Sequence, residues 1–236
     1  MRIEVSLSPA LYPFRTITDN HVTVAIDVLR ATTAVCAAMQ AGCSEVVPLD
    51  SLDALDLYRG KGYKIAAERG GKKLPGSDYG NSPTEYLKHD LHGVRLAYST
   101  TNGTVSILRA ADADITLVGS FANISALVER LIKEQKDVVI LCSGWRNDFC
   151  IEDTLVAGAI IEKLTTITTD MTIAGDAAQM ALTLWQVAGN DPFGYCQRAS
   201  HVHRLYSFGA EEDVRFAFKQ DTCPLVPMLK NGLLTL

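Results

Sequence analysis

The sequence predicts a three-layer α/β/α fold, with a mostly parallel central sheet and a largely helical C-terminal third. Three observations predict it. Short β-branched runs alternate with stretches of helical periodicity, the pattern of repeated βα units. Runs such as "DVVIL" alternate little between apolar and polar, as strands covered on both faces do. After Thr165 the pattern turns mostly helical, through "AGDAAQMALTLWQVA", "CQRASHVHRLYSF" and "EEDVRFAFKQ".

In chain order, the β-branched runs place strands at Ile3–Leu7, Val22–Ile26, Glu45–Leu49, Tyr63–Ala67, Val94–Tyr98, Ile115–Val118 and Val138–Cys142. Helical patterns fall at Ala31–Ala41, Leu52–Arg59, Pro83–His89, Val105–Ala110, Ile124–Glu134, Thr154–Lys163 and Ala174–Val187. The longest irregular piece is "ERGGKKLPGSDYGNSP", Glu68 to Pro83, and loops of that length in compact domains are often functional. A short extended tail, "CPLVPMLKNGLLTL", closes the chain, with Asn231-Gly232 suited to a tight turn between two short strands. No repeat, low-complexity segment or interdomain linker interrupts residues 1–236, which read as one α/β domain whose C-terminal portion is helical from about 165.

Composition narrows the partners. Hydrophobic residues make up 47% and charged residues 21% of the 236, as in soluble globular proteins. No apolar run approaches the ~20 residues of a membrane helix. The N-terminus "MRIEVSLSPALYPF" lacks the long apolar core of a signal peptide, so a cytoplasmic protein with no membrane partner is expected. A net charge of −5 argues against a broad nucleic-acid surface, which needs clustered Lys and Arg. Any anion must therefore be held by a local site. Six cysteines at 36, 43, 142, 150, 196 and 223 form no CxxC pair and read as reduced structural thiols. The apolar face of "AQMALTLWQVA" suits either the sheet or a second subunit of a homo-oligomer.

In parallel α/β sheets ligands bind beyond the carboxyl ends of strands. The segments after the strands are chemically dense here. Asp27, Arg30, Thr32 and Thr33 come after Val22–Ile26, and Glu68 and Arg69 with two glycines and two lysines come after Tyr63–Ala67. "STTNGT" (Ser99–Thr104) succeeds Val94–Tyr98, "GSFANIS" (Gly119–Ser125) succeeds Ile115–Val118, and "SGWRNDFCIED" (Ser143–Asp153) succeeds Val138–Cys142. "STTNGT" joins a strand to a helix, and Gly103 admits close backbone approach. It reads as an anion site, with helix N-capping as the plainer alternative. Asp27 has its own plainer reading, a helix cap with Arg30 as its surface ion-pair partner.

Several carboxylates on one rim repel one another unless a cation sits among them. Oxygen-only ligands suit Mg²⁺ better than zinc. The five histidines form no metal set, and His201 and His203, two apart in a helical stretch, do not share a face. Nucleophile motifs are missing as well. There is no GxSxG elbow, no GxxxxGK[ST] loop and no CxxxxxR cradle, and Leu29 stands where a DxD phosphatase needs its second Asp. A metal and a set of anion donors around a small phosphorylated molecule remain.

Six motifs, in order, carry a resemblance: "IDVLRATT" (Ile26–Thr33), "ERGG" (Glu68–Gly71), "GNSPTEY" (Gly80–Tyr86), "STTNGT", "GSFANISA" (Gly119–Ala126) and "IEDTLVAGA" (Ile151–Ala159). Together they resemble the 2-phosphosulfolactate phosphatase family over roughly residues 22 to 160. The C-terminal third resembles it more loosely, through "GAEEDVRFAFKQD" and "PLVPML". The resemblance departs at "CSGWRNDFC", where Trp145 and Arg146 replace smaller residues and reshape the pocket wall.

The resemblance implies a Mg²⁺-dependent phosphatase converting (2R)-2-phospho-3-sulfolactate to (2R)-3-sulfolactate and phosphate, a step toward coenzyme M or toward sulfolactate itself. Its substrate is a small polyanion of phosphate, sulfonate and carboxylate, matching the donor inventory. On this basis Asp27, Glu68, Glu152 and Asp153 are expected to ligate metal or act as base. Arg30 is expected to stabilise the transferring phosphoryl group, and Asp27, Arg30 and Glu68 form the catalytic set. Thr100, Thr101, Asn102, Gly103 and Thr104 are expected to hold a phosphate or sulfonate. Thr32, Thr33, Arg69, Asn81 and Ser120 are further substrate contacts. Attack by a metal-activated water is expected. The alternatives are a phosphatase for another small phosphorylated hydroxy acid, or a non-catalytic anion-binding protein.

Overall fold

A computed structural model describes residues 1–236. Its strands are β1 (Arg2–Ser6), β2 (His21–Ile26), β3 (Glu45–Pro48), β4 (Lys64–Arg69), β5 (Lys72–Lys73), β6 (Arg95–Ser99), β7 (Ile115–Gly119), β8 (Asp137–Cys142), β9 (Thr172–Ala174), β10 (Met228–Lys230) and β11 (Leu233–Thr235). Its helices are α1 (Ala31–Gln40), α2 (Leu55–Gly60), α3 (Pro83–Tyr86), α4 (Gly103–Arg109), α5 (Ile124–Glu134), α6 (Ile151–Ile167), α7 (Asp176–Ala188), α8 (Pro192–Cys196), α9 (Ser200–Tyr206) and α10 (Glu211–Ala217). All seven expected strands and all seven expected helices form, shifted by a few residues at their ends.

The strands make one sheet in the order β5-β4-β6-β3-β11-β10-β7-β2-β8-β1-β9, with helices around it. Two parallel sets, β4-β6-β3 and β7-β2-β8-β1-β9, carry most of it. Every residue of β2 is buried, as its unalternating apolar sequence requires. Apolar packing falls into two main clusters. One of 34 buried residues joins β1, β2, β7 and β8 to α5, α6 and the C-terminal helices; one of 20 centres on α1. A two-sided core of this kind is what a three-layer α/β arrangement produces.

The C-terminal tail joins the two sets. β10 pairs antiparallel with β7, β11 with β10, and β11 with β3. Asn231 and Gly232 form the two-residue turn, with φ of 52° and 79°. Those left-handed values are what a tight hairpin turn needs, and Asn-Gly supplies them. Three antiparallel pairings in succession leave β3 and its parallel neighbours running opposite to β7. A flat sheet would then put the carboxyl ends of β4 and β6 at the edge remote from that of β2. They meet nevertheless, since Gly103, which opens α4, packs directly on Asp27. The functional loops thus converge from two strand sets of opposite sense rather than along a common rim, a correction to the expected layout.

Two local expectations also change. "ERGGKK" is ordered as a hairpin: Glu68 pairs with Lys73 and Arg69 with Lys72 across a Gly70-Gly71 turn. "TIA" before α7 is a parallel edge strand on β1, so the helix expected from Ala174 starts at Asp176. The face of α7 carrying Ala178 and Ala181 is buried within the chain, where Gly158 of α6 meets the Ala181 carbonyl so closely that no Cβ would fit. All six cysteines are free and buried. No helix is long and apolar enough to cross a membrane.

Candidate active site

Asp27 ends β2 and is buried. The turn beyond it is tied internally. Asp27 N–H donates to Thr32 Oγ1 at 3.0 Å, Thr33 Oγ1 donates to the Val28 carbonyl at 2.9 Å, and Ala31 N–H donates to Asp27 Oδ1 at 3.3 Å. Both threonine hydroxyls are therefore engaged in the turn, fully buried, and do not line the cavity expected of them. Asp27 Oδ2 accepts from no protein donor. Burial pushes the Asp27 carboxyl up to about 6; the His201 ring opposes the rise, and the carboxylates of Glu68 and Glu152 add to it.

Glu68 lies near the end of β4 with both carboxylate oxygens held by backbone. Thr101 N–H donates to Oε1 and Gly71 N–H to Oε2, each at 2.7 Å. The hairpin turn at Gly70-Gly71 and the "STTNGT" loop are thereby clamped on one carboxylate. Thr100 and Thr104 bond reciprocally, Thr104 N–H to Thr100 Oγ1 at 3.1 Å and Thr100 N–H to Thr104 Oγ1 at 3.2 Å. Their hydroxyls secure the start of α4 and are buried. Gly103 is required for a different reason: a Cβ there would lie 2.7 Å from Asp27 Oδ2 and collide with Ala31 Cβ.

Arg30 is buried and pairs with Asp213 of α10 rather than with Asp27. Its Nη1 donates to Asp213 Oδ2 at 3.2 Å and its Nη2 to the Gly71 carbonyl at 2.7 Å. Asp213 Oδ1 in turn accepts from the hydroxyls of Ser82 and Thr84, both at 2.7 Å. The surface ion pair between Arg30 and Asp27 is thus replaced by a buried one that ties β2, the β4–β5 turn and the C-terminal helices together.

Asp153, in the first turn of α6, is a strut. Val28 N–H donates to Oδ1 at 2.9 Å and Gly144 N–H to Oδ2 at 3.0 Å. Burial and the Asp27 and Glu152 carboxylates push its carboxyl upward, while these two N–H bonds pull it down. Its side chain joins the loops after β2 and β8 and does not line the cavity. Glu152 lies behind His201: Oε1 is 2.6 Å from His201 Nδ1, and Oε2 is buried with no partner. The Cys150 thiol, Glu152 carboxylate and His201 imidazole bring ligand atoms within 4.8 Å of one another, a buried group that could hold a metal ion.

Asp27, Arg30, Glu68, Asn81 and Asn102 meet around one narrow polar cavity with Trp145, His201 and Arg204. Asn81 Oδ1 accepts from the Tyr98 hydroxyl. Arg69 stays outside, donating to the Ser99 hydroxyl at 2.9 Å and so linking β4 to β6. Ser120 is also elsewhere, buried in a capping box with Asn123 after β7.

Sequence reasoning passed over His201 and Arg204. His201 is 9% exposed, and Trp145 stacks on it with ring centroids 5.5 Å apart. Arg204 lies over the Trp145 ring at 3.7 Å and its Nη2 is 2.9 Å from His201 Nε2. Since a guanidinium can only donate, His201 accepts on Nε2 and donates from Nδ1 to Glu152. The usable signal was helical spacing: residues 201 and 204 are three apart and share a face, whereas the histidine pair 201/203 does not.

Two guanidinia, two cavity-wall carboxylates and two carboxamides around so small a space define an α/β protein built to bind a small, densely charged molecule. Comparison with known proteins gives that class its family. A family model described as 2-phosphosulpholactate phosphatase matches residues 7–232. A Thermotoga petrophila protein called "Probable 2-phosphosulfolactate phosphatase" is 38% identical over 213 residues, covering 90% of this chain and 91% of the relative. Proteins of the same name from Caldanaerobacter subterraneus and Synechocystis sp. are 34% and 35% identical, covering 89% and 100% of this chain and 88% and 99% of their own lengths. The chain belongs to the 2-phosphosulfolactate phosphatase family of phosphoric monoester hydrolases.

Proposed function

We propose that this enzyme hydrolyses (2R)-2-phospho-3-sulfolactate to (2R)-3-sulfolactate and phosphate with Mg²⁺. The observation carrying the proposal is the cavity itself, where Asp27 and Glu68 face Arg30 and Arg204. Phosphoryl transfer calls for that mixture: cations for the equatorial oxygens and carboxylates for a metal and a water.

The donor set fits a hard cation. Asp27 Oδ2 has no donor, and Asp27, Glu68, Asn81 and Asn102 all line the cavity with oxygen-bearing side chains. The Cys150–Glu152–His201 group offers one oxygen donor type beside sulfur and nitrogen, a set suited to softer ions. Asp27 and Glu68 would hold Mg²⁺, which supplies Lewis acidity and a bound water of lowered pKa. Asp153 and Glu152, expected among the ligands, are better read as the strut of the β2 and β8 loops and the anchor of His201.

Arg30 is fixed by Asp213 and the Gly71 carbonyl, so its guanidinium is in place before substrate arrives. Such preorganisation lets it stabilise charge on the phosphoryl oxygens without reorganising. Arg204, lying over Trp145 and tied to His201, lines the same cavity and orients a second anionic group. Burial holds the Asp27 carboxyl high in the metal-free chain, and a divalent cation bound there would favour its ionised form.

Phosphate release from synthetic phosphosulfolactate, with Mg²⁺ and with excess chelator, tests the reading. Turnover that stops on chelation supports it. Selective turnover of a different phosphorylated hydroxy acid would shift the substrate, and tight binding without turnover of either would leave an anion-binding protein.

A further inference from the structure

The reacting cavity is too tight to surround a molecule with three separate anionic groups. A wider groove opens beside it and shares Asn102 with it. The groove runs between the "STTNGT" loop and the loop after β8, lined by Thr101, Asn102, Ser143, Arg146 and Asn147.

Two features there have no partner within the chain. Ser143 lines the groove and is 1% exposed, and its Oγ is buried without a hydrogen-bond partner. Its backbone is pinned, its N–H donating to the Ile26 carbonyl at 2.7 Å. An orphaned buried hydroxyl is costly unless something else satisfies it. The second feature is Arg146. Trp145 and Asp148 bond to each other's backbone at 3.1 and 3.0 Å around Arg146 and Asn147, whose φ values are 53° and 64°. The tight turn lifts Arg146 to the groove, where its guanidinium lies 5.5 Å from the Trp145 ring and pairs with no carboxylate. An unpaired guanidinium and an unsatisfied hydroxyl, both lining a groove that shares Asn102 with the Asp27–Arg30 cavity, are complementary to an oxyanion.

We propose that this groove is a second anion subsite, in which Arg146 and Ser143 bind the sulfonate end of the substrate while its phosphoryl group occupies the Asp27–Arg30 cavity. The inference rests on the substrate proposed above. A planar guanidinium can contact two sulfonate oxygens, and Ser143 Oγ–H can donate to the third. Specificity for a sulfonated over an unsulfonated acid then resides in the loop after β8, apart from the residues that act on phosphorus.

Binding calorimetry with 3-sulfolactate and with lactate, which differ only in the sulfonate, tests the subsite without requiring turnover. The wild-type chain is expected to prefer sulfolactate, and Arg146→Gln and Ser143→Ala are each expected to cut that preference by ~10–100-fold and ~3–10-fold, the scales of charged and neutral hydrogen bonds. Arg146→Lys should keep part of it. Melting curves control for folding, since residue 146 is exposed and its turn tolerates change. Equal binding of the two acids by the wild type would overturn the subsite, as would an Arg146→Gln variant that keeps the full preference. Turnover assays report separately on the catalytic reading. A chain that prefers sulfolactate through Arg146 yet hydrolyses no phosphosulfolactate retains the subsite and loses the proposed reaction.

Discussion

Gly103 stands so close to Asp27 that a Cβ at residue 103 would lie 2.7 Å from Asp27 Oδ2. The glycine in "STTNGT" therefore serves neither a left-handed turn nor a Walker-type loop. It lets α4, the helix after β6, meet the carboxylate that ends β2. Two strand sets that run in opposite senses converge at that contact.

Gly103→Ala tests it. The added methyl must push Asp27 or Ala31 aside, and overpacking of this kind costs about 1–3 kcal/mol. Turnover should fall by at least ~10-fold because a displacement near 1 Å at a reacting carboxylate is costly. Near-normal kinetics in the variant would show that the close approach does not matter to the site.

Asp27→Asn separates function from stability. Turnover is expected to fall at least ~100-fold, as for loss of a metal-contacting carboxylate. In metal-free protein the same change should stabilise the fold at neutral pH. The folded pKa, about 6, lies above the unfolded value, so the ionised side chain costs stability that is lost as pH rises from about 4 through 6. The variant has no such loss. Melting temperatures measured in chelator should diverge in the variant's favour above pH 6 and converge below pH 4. A variant less stable at pH 7.5 than at pH 4, in step with wild type, would contradict the burial argument.

Asp153→Asn should behave oppositely. An amide offers one acceptor oxygen to two backbone N–H donors and turns its own N–H₂ on the other. Leaving one buried donor unsatisfied costs about 1–3 kcal/mol. For a chain of this size that is a fall in Tm of roughly 2–12 °C. If Asp153→Asn keeps its Tm but abolishes Mg²⁺ dependence, Asp153 is a metal ligand after all.

The contrast among these carboxylates marks what a linear reading can reach. Asp27 and Glu68 stood out because each closes a buried strand, and both line the cavity. Asp153 stood out equally, yet its oxygens are consumed by Val28 and Gly144, residues 125 and 9 positions away. Hydrogen bonds over such separations leave no trace in local spacing. Arg30 met the same difficulty, since its partner Asp213 is 183 residues distant. Strands and helices up to α7 were legible because their periodicity is local. The insertion of β10 and β11 between β3 and β7 was not, because "MLKNGLLT" specifies a hairpin but not where the hairpin docks.

Arg30→Lys should lower kcat by ~10²–10³-fold with a smaller change in KM, the scale for losing one preorganised charge-stabilising donor. An ammonium cannot reach both Asp213 and the Gly71 carbonyl while also presenting a planar edge to phosphoryl oxygens. Because the pair is buried, some Tm loss is expected too, so the kcat/KM split is the deciding measurement. A KM-only effect would reduce Arg30 to a binding group.

Cysteine should be dispensable for chemistry. Burial, with the Glu152 and Asp153 carboxylates adding to it, pushes the Cys150 thiol up. Burial does the same to Cys142, with Asp153 and Glu152 again adding to it. Neither is a thiolate at neutral pH, so neither is a ready nucleophile. Cys142→Ser and Cys150→Ser should each keep most of the activity, and a phosphocysteine trapped by mass spectrometry would refute this.

The C-terminal hairpin offers the strongest test of how the fold makes the site. β10 and β11 fill the gap between β7 and β3, and Leu234 is fully buried there. Without the hairpin both flanking strands lose their ladder partners on one side, and buried backbone groups are left unpaired. The set bearing Asp27 would also be held to the set bearing Glu68 only through loop contacts such as Arg30–Gly71 and Asp27–Gly103. Truncation after Val226 is therefore expected to abolish cooperative melting and activity together. Leu234→Ala is the graded version, at ~2–5 kcal/mol for a buried leucine, or about 4–20 °C in Tm. Its activity at a temperature well below the melt should remain high, because the two sets are still joined. Should the truncated chain melt cooperatively near the full-length value and still turn over substrate, the hairpin is an appendage. The convergence of the two strand sets would then be held by α1, the Asp27–Gly103 contact and the Arg30–Gly71 bond.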